Sequence, residues 1–125
     1  MINDILLYTG SGVIILWGIA HIVPTKAIVD GFGSISEDNK QIVTMEWIAE
    51  GLTLCFIGIL VLLITFSVGS QDVASVIVYW ICGMMLVVMA GLSLLTGAST
   101  AIIPIKICPL VKTAVAVLFF LASVL

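Results

Sequence analysis

Long apolar runs alternate with short polar breaks along this chain. Four of the runs approach the roughly 20 apolar residues that a helix needs to cross about 30 Å of hydrocarbon. The pattern predicts spans at about 5–23, 41–68, 73–95 and 105–125, the first of them stopped by Pro24. Gly69-Ser70-Gln71-Asp72 makes a short turn between the second and third spans, and Thr96 to Thr100 a small polar link before the fourth. Pro104 and Pro109 each suit the first turn of the fourth helix, and a start at Pro109 leaves that span at the short end of the workable range. The runs are continuous and contain Gly, Ser and Thr. Barrel strands would instead alternate apolar and polar at every second residue. Short links force antiparallel neighbours. The expected fold is therefore all-α, an integral membrane four-helix up-down bundle forming one domain over residues 1–125. Gly10, Gly12, Gly18, Gly51, Gly58, Gly83 and Gly91 are expected to let helix backbones approach closely.

Composition removes the competing classes. The chain is 62% hydrophobic and 9% charged, with a mean hydropathy of +1.39, which excludes both a soluble globular domain and a disordered one. Four lysines and no arginine stand against seven acidic residues. The net charge of −3 and the lack of a basic run argue against nucleic acid, or capture of anionic lipid, as the main role. Cys55, Cys82 and Cys108 lie in or near different spans with no C-x-x-C spacing, and read as small core residues rather than redox centres. The N-terminus has no basic n-region and no cleavage-site pattern after the first run, so the first segment is expected to be a retained span. Lys26 and Lys40 fall in the first connection, and Lys106 and Lys112 at or just beyond the third. The positive-inside rule then turns these two connections to the cytoplasm and leaves both termini outside, in a cell (inner or plasma) membrane.

The connection from Thr25 to Lys40 is the only sizeable extramembrane piece, and is expected to be a plain loop. Asp30-Gly31-Phe32-Gly33 reads as a turn, and Ser36 or Asp38 as a cap for the second helix.

The polar exceptions inside the spans gather at one end. Glu46 and Glu50 are one helical turn apart near the start of the second span, and His21, the only histidine, is near the end of the first. A carboxylate in hydrocarbon costs about 2.5–3.5 kcal/mol on insertion scales, so two carboxylates and an imidazole at similar depth need a shared reason. Glu46 lies about 9 Å along the helix from Lys40, and Glu50 about 6 Å deeper. On this count His21 is level with Glu46, and Trp17 level with Glu50. Thr53 continues the glutamate face inward, and Lys112 reaches the Glu50 level from the fourth helix. His21, Glu46, Glu50, Trp17, Thr53 and Lys112 are therefore the candidate ligand-binding residues. Glu50 and His21 are the candidates if the site is catalytic.

Each residue also has a plainer reading. His21 could close the bundle at the interface, Glu46 could be solvated there, and Lys112 could snorkel to the headgroups. Trp17, Trp47 and Trp80 suit core or interfacial-belt positions, and Met84, Met85 and Met89 suit packing. Metal and haem are disfavoured: bundle di-iron sites need Glu-x-x-His pairs with more carboxylates, and one histidine cannot give bis-histidine haem. No polar residues continue a proton relay across the other half, so a complete conduit through one subunit is not expected.

Glu46-Trp47-Ile48-Ala49-Glu50-Gly51-Leu52-Thr53-Leu54, followed by Gly58, resembles the second helix of DoxX-like membrane proteins. Gly18-Ile19-Ala20-His21 is similar to that family's glycine followed by a polar or basic residue. The resemblance implies a four-helix membrane subunit associated with oxidoreductase systems, with quinone as the favoured ligand and Glu46 and Gly51 as the carried-over positions. Glu50 departs from that pattern, which commonly has a small residue there. The leading expectation is an accessory or ligand-binding subunit linked to membrane redox systems of the quinone type, with a polar pocket at the cytoplasmic mouth. Its cofactor is unassigned, a quinone or lipid fitting best. Expected partners are membrane lipid, other membrane subunits or further copies of the chain, and not nucleic acid. Two alternatives stand beside it: a small intramembrane enzyme using a Glu/His acid–base pair on a lipid-like substrate, and a purely structural subunit of a larger complex.

Overall fold

A computed structural model describes all of residues 1–125, with no strand among them. Four long helices carry the spans: α1 (Ile2–Ile22), α3 (Glu37–Ser67), α4 (Val73–Leu95) and α5 (Ile103–Val124). A short helix, α2 (Thr25–Asp30), follows α1, and a 3₁₀ turn at Gly97–Ser99 precedes α5. All four long helices are apolar and long enough to cross a membrane. The expected all-α bundle is what the chain forms.

The helix ends follow their local chemistry. Ser36 caps α3, its Oγ accepting from the Asn39 amide at 3.1 Å, while Glu37 and Asp38 in the first turn complement the helix dipole. Capping at Ser36 starts α3 four residues before the expected boundary near 41. Its 31 residues are about 46 Å long, well beyond the hydrocarbon thickness, so its polar first turns project past the bilayer core. At the far end Gly69, at φ +104, takes the left-handed conformation that closes the helix, and its amide reaches the carbonyls of Ile64 and Thr65. Asp72 caps α4 through the Ala74 amide at 2.8 Å.

Two expectations are corrected. The stretch after Pro24 is not a plain loop. Pro24 starts a second short helix, with Val29 buried and α2 lying against α3. Asp30 to Gly33 is the expected turn, with Gly33 at φ +72. Pro104, not Pro109, sits in the first turn of α5. Pro109 is buried inside the helix, where it cannot donate to the carbonyl one turn back.

The bundle runs α3, α1, α5, α4 in packing order, with close contact at each step, while α3 and α4 barely touch along most of their length. They are tied near their shared turn, where Thr65 Oγ1 and Tyr79 OH lie 2.8 Å apart in a buried pair. Around that end the core holds Leu7, Val61, Tyr79, Phe119 and Ala122. Asn3 Nδ2 donates to the Ala122 carbonyl at 3.0 Å and fixes the start of α1 to the end of α5. Toward the opposite end α3 and α4 leave a cleft.

Of the seven span glycines, five are close-approach points. At Gly18 an added Cβ would lie 2.8 Å from the Gly51 carbonyl oxygen and 3.0 Å from the Cys55 amide nitrogen, so α1 and α3 meet backbone to backbone. Gly12 and Gly91 face open space and do not serve packing. Gly18→Ala is therefore expected to destabilise the bundle by about 1–3 kcal/mol, and Gly12→Ala to leave it unchanged or slightly firmer. Thermal unfolding in detergent, read by circular dichroism, checks the pair.

Candidate functional site

The close α1–α3 approach positions the polar side chains. His21 is one helical turn beyond Gly18 on α1, and Glu50 immediately precedes Gly51 on α3. With the two glycines packed together, His21 Nε2 comes to 3.4 Å from Glu50 Oε2. That nitrogen is buried yet makes no aligned hydrogen bond. The imidazole stacks on Trp47, ring centroids 4.0 Å apart and planes within 14°, and Trp47 Nε1 donates to the His21 carbonyl at 2.6 Å. Trp47 thus holds both the ring and the backbone of the last turn of α1.

Lys112 comes from the other side. The inward face of α5 carries Cys108, Lys112, Val115, Ala116 and Phe119 at helical spacing, so Lys112 points into the bundle rather than along it. Its side chain is completely buried, and its Nζ donates to Glu50 Oε1 and, at 2.8 Å, to Ser93 Oγ on α4. Ser93 Oγ in turn donates to the Met89 carbonyl at 2.9 Å. One ion pair therefore links α3 to α5, and Ser93 extends it to α4. Hydrogen bonds to charged groups contribute about 1.5–3 kcal/mol each, and removing one partner of a buried pair costs more than the pair itself is worth.

The burial is asymmetric. Lys112 is sealed, while 31% of the Glu50 side chain remains accessible. What it opens onto is a cavity of about 890 Å³ in the cleft between α3 and α4, within the range of about 300–1,000 Å³ for small-molecule sites. Twelve of the 21 lining residues are hydrophobic, so the cavity is an apolar body with a polar end. Met85, Met89, Ile105 and Ile107 belong to the former; His21, Glu46, Glu50, Thr53 and Ser93 supply the latter.

Among the sequence candidates, His21, Glu46, Glu50, Trp17 and Thr53 all line this cavity, and Lys112 stands directly behind Glu50. Two expected pairings are corrected. His21 is level with Glu50, not Glu46, because the Gly18–Gly51 contact sets the register of α1 against α3. Glu46 is consequently left exposed at the rim, with no ion pair or hydrogen bond. Trp17 does not meet Glu50; its Nε1 donates to Cys108 Sγ on α5 at 3.3 Å. Lys112 does not snorkel. Thr53 spends its hydroxyl proton on the Ala49 carbonyl at 2.8 Å. Ser93 was not among the sequence candidates, and Trp47 and Cys108 were expected only as belt or core residues. Ser93, a hydroxyl late in an otherwise apolar span, and Trp47, one turn before Glu50, both carried a signal of position. Cys108 carried none.

The fold and composition define a small multi-pass membrane protein with a polar cluster inside one end of its bundle. No family model, curated protein or solved structure matches the chain.

The asymmetry of the ion pair sets an expectation. Glu50→Leu strands the sealed ammonium with Ser93 alone and is expected to cost about 3–5 kcal/mol. Lys112→Met costs less, because the freed carboxylate is hydrated through the cavity. The double variant recovers most of the Glu50→Leu loss. Thermal melts of the four proteins in one detergent give the comparison.

Proposed function

We propose that this protein is a ligand-binding membrane subunit whose cleft between α3 and α4 takes up a small, lipid-soluble amphipathic molecule. The observation that carries the reading is the apolar cavity ending on the partly accessible side chain of Glu50. An ion pair serving packing alone gains nothing from a large void beside it, since apolar voids forfeit contacts. A cavity with one polar end suits an occupant with one polar end.

The link to membrane redox systems rests on the resemblance of the Glu46–Gly58 stretch to DoxX-like proteins, in which a quinone would be the occupant and the protein an accessory subunit. One observation favours the enzyme alternative: His21 and Glu50 form an acid–base couple facing the cavity. Against it, Lys112 holds the other oxygen of Glu50, which suits a fixed charged acceptor better than a group that must gain and lose a proton. The purely structural alternative needs no occupant at all.

Native mass spectrometry of the protein released from its own membranes separates these readings. Binding predicts a retained small molecule that is lost in Ala49→Phe, which fills the cavity from its lining, while thermal stability is kept. A bare chain, or one seen only with other polypeptides, favours the structural alternative.

Orientation follows from the lysines. The topology gathers Lys26, Lys40 and Lys106 at the end of the bundle where the cavity lies, and the positive-inside rule assigns that end to the cytoplasm of a cell membrane. A periplasmic or extracellular reporter fused to the C-terminus is expected to be active, and the same reporter inserted after Phe32 inactive.

A further inference from the structure

The hydrogen-bonding inventory of the cavity points to the chemistry of its occupant. We propose that the occupant is a protonated amine on an apolar body, an inference that rests on the cavity being a binding site. Nearly every side-chain donor in the lining is already committed. The hydroxyls of Thr53, Ser93 and Thr96 donate to carbonyls one turn back on their own helices. The indole N–H of Trp17 is spent on Cys108, and that of Trp47 on the His21 carbonyl. Lys112 is sealed behind Glu50 and does not line the cavity. His21 alone has a free ring position, and its Nε2 is turned toward Glu50.

The acceptors are the opposite case. Both oxygens of Glu46 are without a partner, and Glu50 Oε2 has only the misaligned imidazole at 3.4 Å. The imidazole is also poorly satisfied: its side chain is 9% exposed and lines the cavity, and its Nε2, buried against Glu50, has no aligned hydrogen bond. Charge agrees with the inventory. Lys112 compensates Glu50, no lysine or arginine lines the cavity, and Glu46 stands there with no cation beside it. An ammonium head supplies both missing quantities, N–H donors for the carboxylates and one positive charge. The flexible thioethers of Met85 and Met89 adapt to an apolar body of variable shape. A quinone, ketone or phosphate head brings only acceptors and would meet two carboxylates.

The test uses the full chain in nanodiscs of zwitterionic lipid, titrated with probes of one tail length and read by tryptophan emission. Dodecylamine, protonated at neutral pH, is expected to bind about tenfold or more tightly than dodecanol, the size of a charge-assisted hydrogen bond. Dodecyltrimethylammonium, which has the charge but no N–H, is expected between them. Glu46→Gln, which leaves the Lys112–Glu50 pair intact, should weaken dodecylamine about threefold to fivefold without changing dodecanol. Glu50→Gln should weaken it further. Equal or tighter binding of dodecanol or of decylubiquinone overturns the amine assignment and leaves the binding site standing, as does indifference to Glu46→Gln. A linear, non-saturating response to every probe overturns the binding site itself, and the amine with it.

Discussion

The arrangement of this end of the bundle depends on one constraint: Lys112 is buried without access to water, and Glu50 is the only carboxylate that meets it. A lone ammonium in such a place is not tolerated, so α3 and α5 must be held at the separation and depth that let the two side chains touch. Ser93 brings α4 into the same network. The network helps to fix register in a bundle whose contacts are mostly apolar, the best-attested use of a buried polar group. In hydrocarbon no hydrophobic force draws helices together, so close packing and polar contacts must do so.

The same constraint explains why a cavity survives. At the turn end, α3 and α4 are clamped by the Thr65–Tyr79 pair and a well-filled core. At the other end α3 is drawn toward α1 by the Gly18–Gly51 contact and by Trp47, while α4 is drawn toward α5. Each helix satisfies its nearest neighbour, and the space between them stays open. Glu50 lies on the boundary, paired to the sealed Lys112 and still partly accessible in the cleft.

Much of this was legible in the sequence because hydropathy and helix geometry are nearly sufficient for it. Apolar runs fixed the four spans to within a few residues, and the i, i+4 spacing of Glu46 and Glu50 placed both carboxylates on one face. Lys112 could be brought to Glu50 by counting along α5 alone. What failed was the comparison of depth between helices. That required knowing how the chain leaves α1, and a six-residue helix after Pro24 is too short for periodicity to announce it. With the register of α1 against α3 unset, His21 was matched to the wrong glutamate. The partners of Trp17 and Lys112 on other helices, Cys108 and Ser93, are tertiary facts, and no pattern within one span encodes which face of α5 or α4 turns toward α1. The splay of α3 from α4, hence the cavity, was equally invisible, because both helices are apolar around most of their circumference.

Glu46 and Glu50 show why residues of one type on one helical face need not share a role. They are a single turn apart, yet one is paired to a sealed lysine and the other has nothing. The Gly18–Gly51 contact sets Glu50 level with His21 and leaves Glu46 one turn further out, at the rim of the cavity, where an unpaired carboxylate costs little. The fold thus supplies a counter-charge for the inner carboxylate alone, and the outer one stands unpaired where the cavity opens.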